Sequence, residues 1–99
     1  MIEELSTSNI KLQIIPLGNT MTECLSLKNY FSNYFITEVS FDNRSFKSKM
    51  KDANKQEIPY VLIVGEDEVK SNLYSLKDMK NSTQYNFSKE ECVKFIKNQ

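Results

Sequence analysis

The stretch that decides the fold runs from residue 58 to residue 68 and reads IPYVLIVGEDE. Its centre, residues 60–64, is continuously apolar and rich in β-branched side chains, which predicts a strand covered on both faces. Pro59 disfavours helical geometry in the residue before it, so a helix upstream must end there. Gly65 permits a tight turn of the chain directly after this strand. The acidic residues that follow favour a helix N-terminus and predict one helical turn over residues 66–70.

Upstream of this strand, the sequence predicts two further strands and a helix between them. Apolar and polar residues alternate over residues 10–16 and again over residues 36–41, which is the pattern of a strand with one buried face. Residues 20–34 carry apolar side chains at helical spacing. Thr20 and Glu23 have the spacing of a capping box, which predicts that this helix begins at Thr20.

Residues 44–55 predict a second helix, with a narrow apolar face and lysines on its other sides. The apolar positions are Phe46, Met50 and Ala53. The remaining sides carry a set of lysines, namely Lys47, Lys49, Lys51 and Lys55.

Downstream, the sequence predicts a hairpin and a last helix. Residues 73–79 read as a more polar edge strand, and a turn at residues 81–82 leads to a short partner strand over residues 84–86. Ser88 and Glu91 form a second capping box, which predicts a terminal helix through Ile96.

This order of elements predicts an α/β protein. Strands that alternate with helices form a parallel sheet with helices packed on it, and the hairpin adds antiparallel strands at one side. The predicted architecture is a three-layer sandwich with a mixed, mostly parallel five-stranded sheet and about three helices.

Composition excludes most catalytic classes. The chain of 99 residues has no histidine, only two glycines, and no P-loop, G-x-G-x-x-G or G-x-S-x-G motif. Cys24 and Cys92 lie 68 positions apart, make a poor zinc site and read as buried, reduced thiols. No apolar run is long enough for a membrane span, and the N-terminus lacks a signal-peptide pattern, so we expect a cytoplasmic protein.

Charge is balanced overall but not locally. The chain has 13 basic and 13 acidic residues, whereas residues 44–55 hold five cations against Asp52 alone, a local charge of +4. Such a helix can contact a phosphate backbone through Arg44, Lys47 and Lys51. Alternatively, these cations can form an ordinary solvent-exposed face of the helix.

Two other local patterns have a functional and a structural interpretation. Tyr74, Lys77 and Tyr85 on the predicted hairpin can stack on or hydrogen-bond to unpaired bases, or the tyrosines can serve packing. The acidic residues 66–68 can bind a metal ion, or they can complement the helix dipole, which is the commoner use.

Two stretches resemble the C-terminal anticodon-binding domain of class II aminoacyl-tRNA synthetases. They are residues 44–55, RSFKSKMKDANK, and residues 58–68, IPYVLIVGEDE. The shared pattern is a lysine-rich helix, then I-P-Y, an apolar strand and G-x-x-E. Residues 76–79, LKDM, are most similar to the histidyl enzymes. Those relatives commonly have glycine near Asn72 and in the turn at residues 81–82. Asparagine tolerates positive φ, so we expect both turns to persist.

The resemblance implies a module that binds a tRNA anticodon stem-loop without being catalytic. It implies that Glu68 and Lys77 contact anticodon bases, with Arg44, Lys47, Lys51 and Tyr74 as further candidate RNA contacts. The alternatives are that Glu68 only caps its turn and that Lys77 only makes an edge strand soluble. It also implies a longer, homodimeric parent ligase that uses ATP and Mg²⁺ in a separate catalytic domain, with no cofactor, DNA or membrane partner here. We expect residues 1–9 to be a linker from that region and residues 10–99 to form the domain.

Two alternatives remain open at this point. The first is a protein-interaction or regulatory domain with the same fold. The second is the anticodon-binding domain of a threonyl, prolyl or glycyl enzyme.

Overall fold

A computed structural model describes residues 10–40 and 43–98. The described chain forms five strands and four helices in the order β1 Lys11–Pro16, α1 Met21–Phe31, β2 Ile36–Val39, α2 Phe46–Lys55, β3 Tyr60–Val64, α3 Glu66–Ser71, β4 Tyr74–Asp78, β5 Thr83–Phe87 and α4 Lys89–Lys97. Every predicted element is present, and the predicted single turn after Gly65 is α3. The expected linker at residues 1–9 and the predicted end of β2 at Phe41 lie outside the described residues.

The five strands form one sheet in the order β2-β1-β3-β4-β5. β1 pairs in parallel with both β2 and β3, whereas β4 is antiparallel to β3 and to β5. Four of the five strands therefore point the same way, and the predicted mixed, mostly parallel α/β fold is confirmed. The prediction that residues 73–79 form an edge strand is wrong, because β5 pairs with β4 along its whole length and is itself the edge.

Helices pack on both faces of the sheet and divide the core in two. On the first face, Leu62 of β3 belongs to a cluster with Phe31 of α1 and Ile96 of α4. On the second face, Val61 and Ile63 of the same strand pack with Ala53 of α2. β3 is thus covered on both sides, as its continuous apolar sequence predicts.

The second face is apolar only where α2 lies over it. Register places Lys77 opposite Val61 on one side and Gln84 on the other, and it pairs Ser75 with Asn86. These positions share the face of Val61 because alternate residues of a strand point the same way. We call the four polar positions, Ser75, Lys77, Gln84 and Asn86, the polar strip.

The two predicted capping boxes have different outcomes. At α4, the Ser88 N–H donates to Glu91 Oε1 (2.9 Å) and the Glu91 N–H donates to Ser88 Oγ (3.2 Å), so that box is confirmed. At α1, Thr20 accepts no capping hydrogen bond, and the predicted box there is wrong. The Thr20 hydroxyl is 1% exposed and donates to the carbonyl of Val64 at 2.8 Å, which joins the start of α1 to the end of β3.

Non-glycine residues with positive φ occur in both turns that the sequence singles out. Asn72 ends α3 with φ 59°, and Ser82 has φ 55° in the β4–β5 hairpin. Asp78 supports the hairpin, because its carboxylate accepts the backbone N–H groups of Lys80 (3.1 Å) and Asn81 (3.2 Å). Both turns therefore form without glycine.

Both cysteines are free and buried, as predicted. Burial raises the pKa of the Cys24 thiol, and it raises the pKa of Cys92 to about 12. Within the described ranges, no helix is both long and apolar enough to span a bilayer.

Candidate nucleic-acid interface

The outer side of α2 presents a row of exposed lysines. Ser45 begins the helix, since its Oγ accepts the Ser48 N–H at 3.2 Å. Lys47, Lys51 and Lys55 then follow at intervals of four residues, which places them on one side, and all three are exposed. We call these three lysines the basic ridge. Exposed ammonium groups of this kind can contact a phosphate backbone.

Arg44 precedes the N-cap residue Ser45 and adds a positive charge at the N-terminal end of α2. Its Nη2 lies 3.5 Å from Asp52 Oδ2, and Gln56 Nε2 donates to the same oxygen at 2.9 Å. Arg44 and Asp52 are both well exposed, so solvent screens the pair and its contribution to stability is small. The contact nevertheless keeps the guanidinium beside the ridge.

Two predicted assignments within α2 are wrong. Lys49 does not lie on a solvated side; it is 8% exposed and its Nζ donates to the Ser40 carbonyl at 3.2 Å. Phe46, predicted on the apolar face, is 39% exposed because it begins the helix beyond the part that covers the second core. Neither outcome can be read from helical periodicity alone, since both depend on where the sheet ends beneath α2.

Glu68 is held at the start of α3 directly after the central strand. Its Oε1 accepts the Gly65 N–H at 2.9 Å, and a Cβ at residue 65 would lie 2.5 Å from that oxygen. The glycine therefore leaves room for the carboxylate. A carboxylate has several acceptor sites, so this cap leaves Glu68 able to accept from a base as well.

Lys77 lies at mid-strand in β4 on the second face of the sheet. It is half-buried, with Val61 and Gln84 as its neighbours across the two ladders. α3 packs against β4, so Glu68 and Lys77 are carried by adjoining elements. Their surroundings offer an acceptor and a donor of the kind that base edges require.

Tyr74 does not have the exposed position that its proposed stacking role needs. It is 7% exposed, lies in the core of the first face, and has a pKa raised mainly by burial. Tyr85 is half-buried on the same face, where its ring stacks on Phe87 with centroids 5.2 Å apart. Strand alternation points both tyrosines away from Lys77, so the expectation of exposed aromatic rings beside Lys77 is wrong.

The structure adds polar neighbours to Lys77 that the sequence reasoning missed. Gln84 and Asn86 are exposed on β5, and Ser75 Oγ lies 3.4 Å from Asn86 Oδ1. Amide side chains both donate and accept hydrogen bonds, which suits the reading of bases. The predicted partner strand over residues 84–86 already contains both residues, so the signal that finds them is the period of two through Lys77 combined with the register of the hairpin.

Two of the acidic residues after β3 accept hydrogen bonds from backbone N–H groups. Glu66 Oε2 lies 3.3 Å from the Asn19 nitrogen that donates to it, and Glu68 caps α3. In residues 10–40 and 43–98, no three or more histidine, cysteine or acidic side chains are grouped to hold a metal ion.

Comparison with known proteins places this geometry in a family. The chain is 35% identical to the histidine–tRNA ligase of Clostridium tetani over 97% of its own length and 22% of that protein. It is 36% identical to the threonine–tRNA ligase of Nautilia profundicola over 90% of its length and 15% of that protein. The chain thus spans about a fifth of the first of these curated relatives and about a seventh of the second.

Solved structures have the same fold. Histidyl-tRNA synthetase from Nostoc sp. PCC 7120 superposes with a TM-score of 0.80 at 22% identity, over 92% of this chain and 22% of that one. The RNA-binding domain of threonyl-tRNA synthetase from Cryptosporidium parvum Iowa II also gives 0.80, at 12% identity, over 91% of this chain and 23% of that one.

The family match covers nearly the whole described fold. A family model described as "Anticodon binding domain" matches residues 11–99, which takes in all five strands, the basic ridge, Glu68 and Lys77. This chain belongs to the family of aminoacyl-tRNA synthetase anticodon-binding domains.

Proposed function

We propose that this chain is the module of a histidine–tRNA ligase that binds the anticodon stem-loop of its tRNA. The observation that carries the proposal is the basic ridge on α2, flanking a sheet face that bears Lys77 and the amides of β5. The ridge supplies charge for phosphates and the strip supplies hydrogen bonds for bases, and RNA recognition needs both.

In this proposal the basic ridge and Arg44 position the RNA. Lys47 and Lys51 contact phosphates of the stem-loop. Arg44, which lies just before the N-terminus of α2, contacts a further phosphate. Such contacts set orientation and affinity but carry no sequence information. Tyr74 takes no direct part, since it is buried on the opposite face.

Base reading falls to Glu68 and Lys77. The Glu68 carboxylate accepts from base amino or imino groups, and the Lys77 ammonium donates to an acceptor edge such as guanine O6 or N7. Gln84, directly opposite Lys77, supplies a second donor and acceptor pair.

The remaining functions belong to the proposed parent enzyme. We propose a class II ligase that activates histidine with ATP and Mg²⁺ in a separate catalytic domain, acts as a homodimer and works in the cytoplasm. In this arrangement the present domain contributes binding energy and tRNA selection, not chemistry.

The base-reading assignment is tested by binding a labelled histidine-tRNA anticodon stem-loop at low salt. Lys77→Met should weaken binding by roughly 5- to 100-fold, corresponding to about 1–3 kcal/mol for a good base contact. Glu68→Gln keeps an acceptor for the Gly65 N–H, so a loss of RNA affinity in this variant reports on the RNA and not on the cap.

The matched control is Lys94→Met, which removes an exposed lysine from α4 on the other face of the sheet. This variant should bind like the wild type. Wild-type affinity in both Lys77→Met and Glu68→Gln would show that neither residue reads bases.

A threonine–tRNA ligase is the second candidate, favoured by the 36% identity to the Nautilia profundicola enzyme. The same assay with a threonine-tRNA stem-loop separates the two. Tighter binding of the threonine stem-loop than of the histidine one would overturn the histidine assignment while leaving RNA binding intact.

A further inference from the structure

A second charged feature of α2 lies on the side away from the polar strip. Lys49 points toward the end of β2 at the edge of the sheet, and the residue as a whole is 8% exposed. An ammonium has three N–H donors. Among residues 10–40 and 43–98, its one hydrogen-bond acceptor is the neutral carbonyl of Ser40, at 3.2 Å, and it has no carboxylate within 4 Å.

This ammonium opens onto a pocket of about 210 Å³ between α2 and the edge of the sheet. Its polar lining consists of Gln13, Ser40, Lys49, Asp52 and Gln56, together with Arg44 and Glu38. The volume is below the roughly 300–1,000 Å³ of typical small-molecule sites, so the pocket suits a compact ion.

The pocket wall is already ordered by its own hydrogen bonds. Gln13 Nε2 donates to Ser40 Oγ at 2.6 Å, which fixes the residue whose carbonyl accepts from Lys49. On the other wall, Asp52 accepts from Arg44 and Gln56. A bound ion would therefore meet side chains that are held in place.

The pocket lining carries two cations, Lys49 and Arg44, and two carboxylates, Asp52 and Glu38, so a preference for an anion depends on the buried position of Lys49 and not on net charge. Asp52 and Glu38 are carboxylates that line the same pocket, but Asp52 is paired and Glu38 is exposed on the edge strand. Lys49 is the buried charge, and charges are screened less where solvent is excluded. An oxyanion within hydrogen-bond distance would accept from the N–H donors of Lys49 that the Ser40 carbonyl does not use.

We propose that this pocket, which we call the Lys49 pocket, binds a phosphate-type oxyanion through the Lys49 ammonium. Free inorganic phosphate and a phosphodiester of bound RNA present the same chemistry to it. The site does not depend on the proposed base contacts, because it lies across α2 from Lys77.

The test measures thermal unfolding of the chain during titration with inorganic phosphate, against sodium chloride of equal ionic strength. A ligand that binds the folded state alone raises Tm with a saturating dependence on concentration. We expect such a rise for the wild type and for Lys94→Met, which removes an exposed lysine from α4 on the other face of the sheet. Lys49→Met should weaken phosphate binding at least tenfold.

A second measurement serves if Lys49→Met does not fold. In the wild type, the side-chain amide NMR signals of Gln13 and Gln56 should shift with phosphate, whereas that of Gln84 on the polar strip should not. Equal effects of phosphate and chloride on Tm, or shifts confined to Gln84, would overturn the proposal.

Stem-loop RNA distinguishes the two sources of phosphate. If the pocket takes an RNA phosphodiester, inorganic phosphate at constant ionic strength competes with the stem-loop, and Lys49→Met weakens RNA binding. If it takes the free ion, phosphate binds with the same affinity whether or not the stem-loop is present. A phosphate effect that persists undiminished in Lys49→Met contradicts both versions.

Discussion

Glu57 ends α2 in a conformation that ordinarily belongs to glycine. Its φ is 58°, and two hydrogen bonds of a Schellman motif surround it: Glu57 N–H to the Asn54 carbonyl (3.1 Å) and Ile58 N–H to the Ala53 carbonyl (3.0 Å). Ile58 and Ala53 also share the second core, which is the apolar contact that usually accompanies this motif. The motif therefore forms with a side chain at its left-handed position.

Glu57→Gly should stabilise the fold. The left-handed conformation costs a non-glycine residue about 1–2 kcal/mol, so we expect the free energy of unfolding to rise by about 1 kcal/mol in urea denaturation. The control is Lys55→Gly, two residues earlier and in helical geometry, which should lose about 1 kcal/mol. Destabilisation by both substitutions would contradict the strain at Glu57.

The two buried thiols make the protein sensitive to alkaline pH. The Cys92 thiol has an ordinary pKa of 9.0 and a folded value of about 12. Above pH 9 the unfolded chain loses a proton that the folded chain keeps, so stability falls as pH rises from 9 toward 12. Burial of Cys24 acts in the same direction.

Thiol labelling checks this at constant pH. At pH 8 in native buffer, neither cysteine should react with an aromatic disulfide reagent on the time scale of a free thiol, whereas both should react at once in denaturant. Cys92→Ala should show a shallower loss of stability between pH 9 and 12. Rapid labelling of the folded wild type would contradict the burial of these thiols.

At the scale of elements, local signals predicted helix α4 better than helix α1. Ser88 and Glu91 complete their box within four residues, so sequence spacing was sufficient. Thr20 has the same spacing to Glu23, but its hydroxyl donates to Val64, 44 positions along the chain. The Val64 carbonyl is distant in sequence, so a local pattern cannot reveal that it accepts from the Thr20 hydroxyl that the capping box requires.

Ser88→Ala measures the contribution of the cap that does form. Loss of the bond from the Glu91 N–H should lower the free energy of unfolding by about 1 kcal/mol. Ser26→Ala, an exposed position inside α1, serves as the control and should be neutral or slightly stabilising, because alanine has the higher helix propensity. An equal effect at both positions would contradict a specific capping role.

The difference between local and tertiary contacts also explains for which candidate residues the sequence predicts solvent exposure correctly. Helical periodicity predicts that Lys47 and Lys51 are exposed, and the unbroken apolar run predicts that β3 is buried. Both patterns depend directly on which residues face solvent and which face the core. Tyr74 and Lys49 were misplaced because their burial depends on neighbours distant in sequence. Tyr74 lies in the core that α1 and α4 form with the first face of the sheet, and Lys49 lies where the end of β2 meets α2.

At the scale of the whole molecule, a chain of zero net charge presents opposite surfaces of different character. The first face of the sheet is closed by α1 and α4 over an apolar core. The second face has α2 over part of it and the polar strip beside that helix, so cations and hydrogen-bonding groups meet on one side. Local placement, not total charge, therefore favours RNA as the partner.

The most direct test of this central claim is the salt dependence of binding to a histidine-tRNA anticodon stem-loop, measured by fluorescence anisotropy. Three phosphate contacts, from Arg44, Lys47 and Lys51, predict that log Kobs falls with log salt with a slope of about −2 to −3. The double variant Lys47→Met and Lys51→Met should reduce that slope by about 2. Absence of binding at low salt, or a slope that the double variant leaves unchanged, would contradict the assignment of this face to RNA.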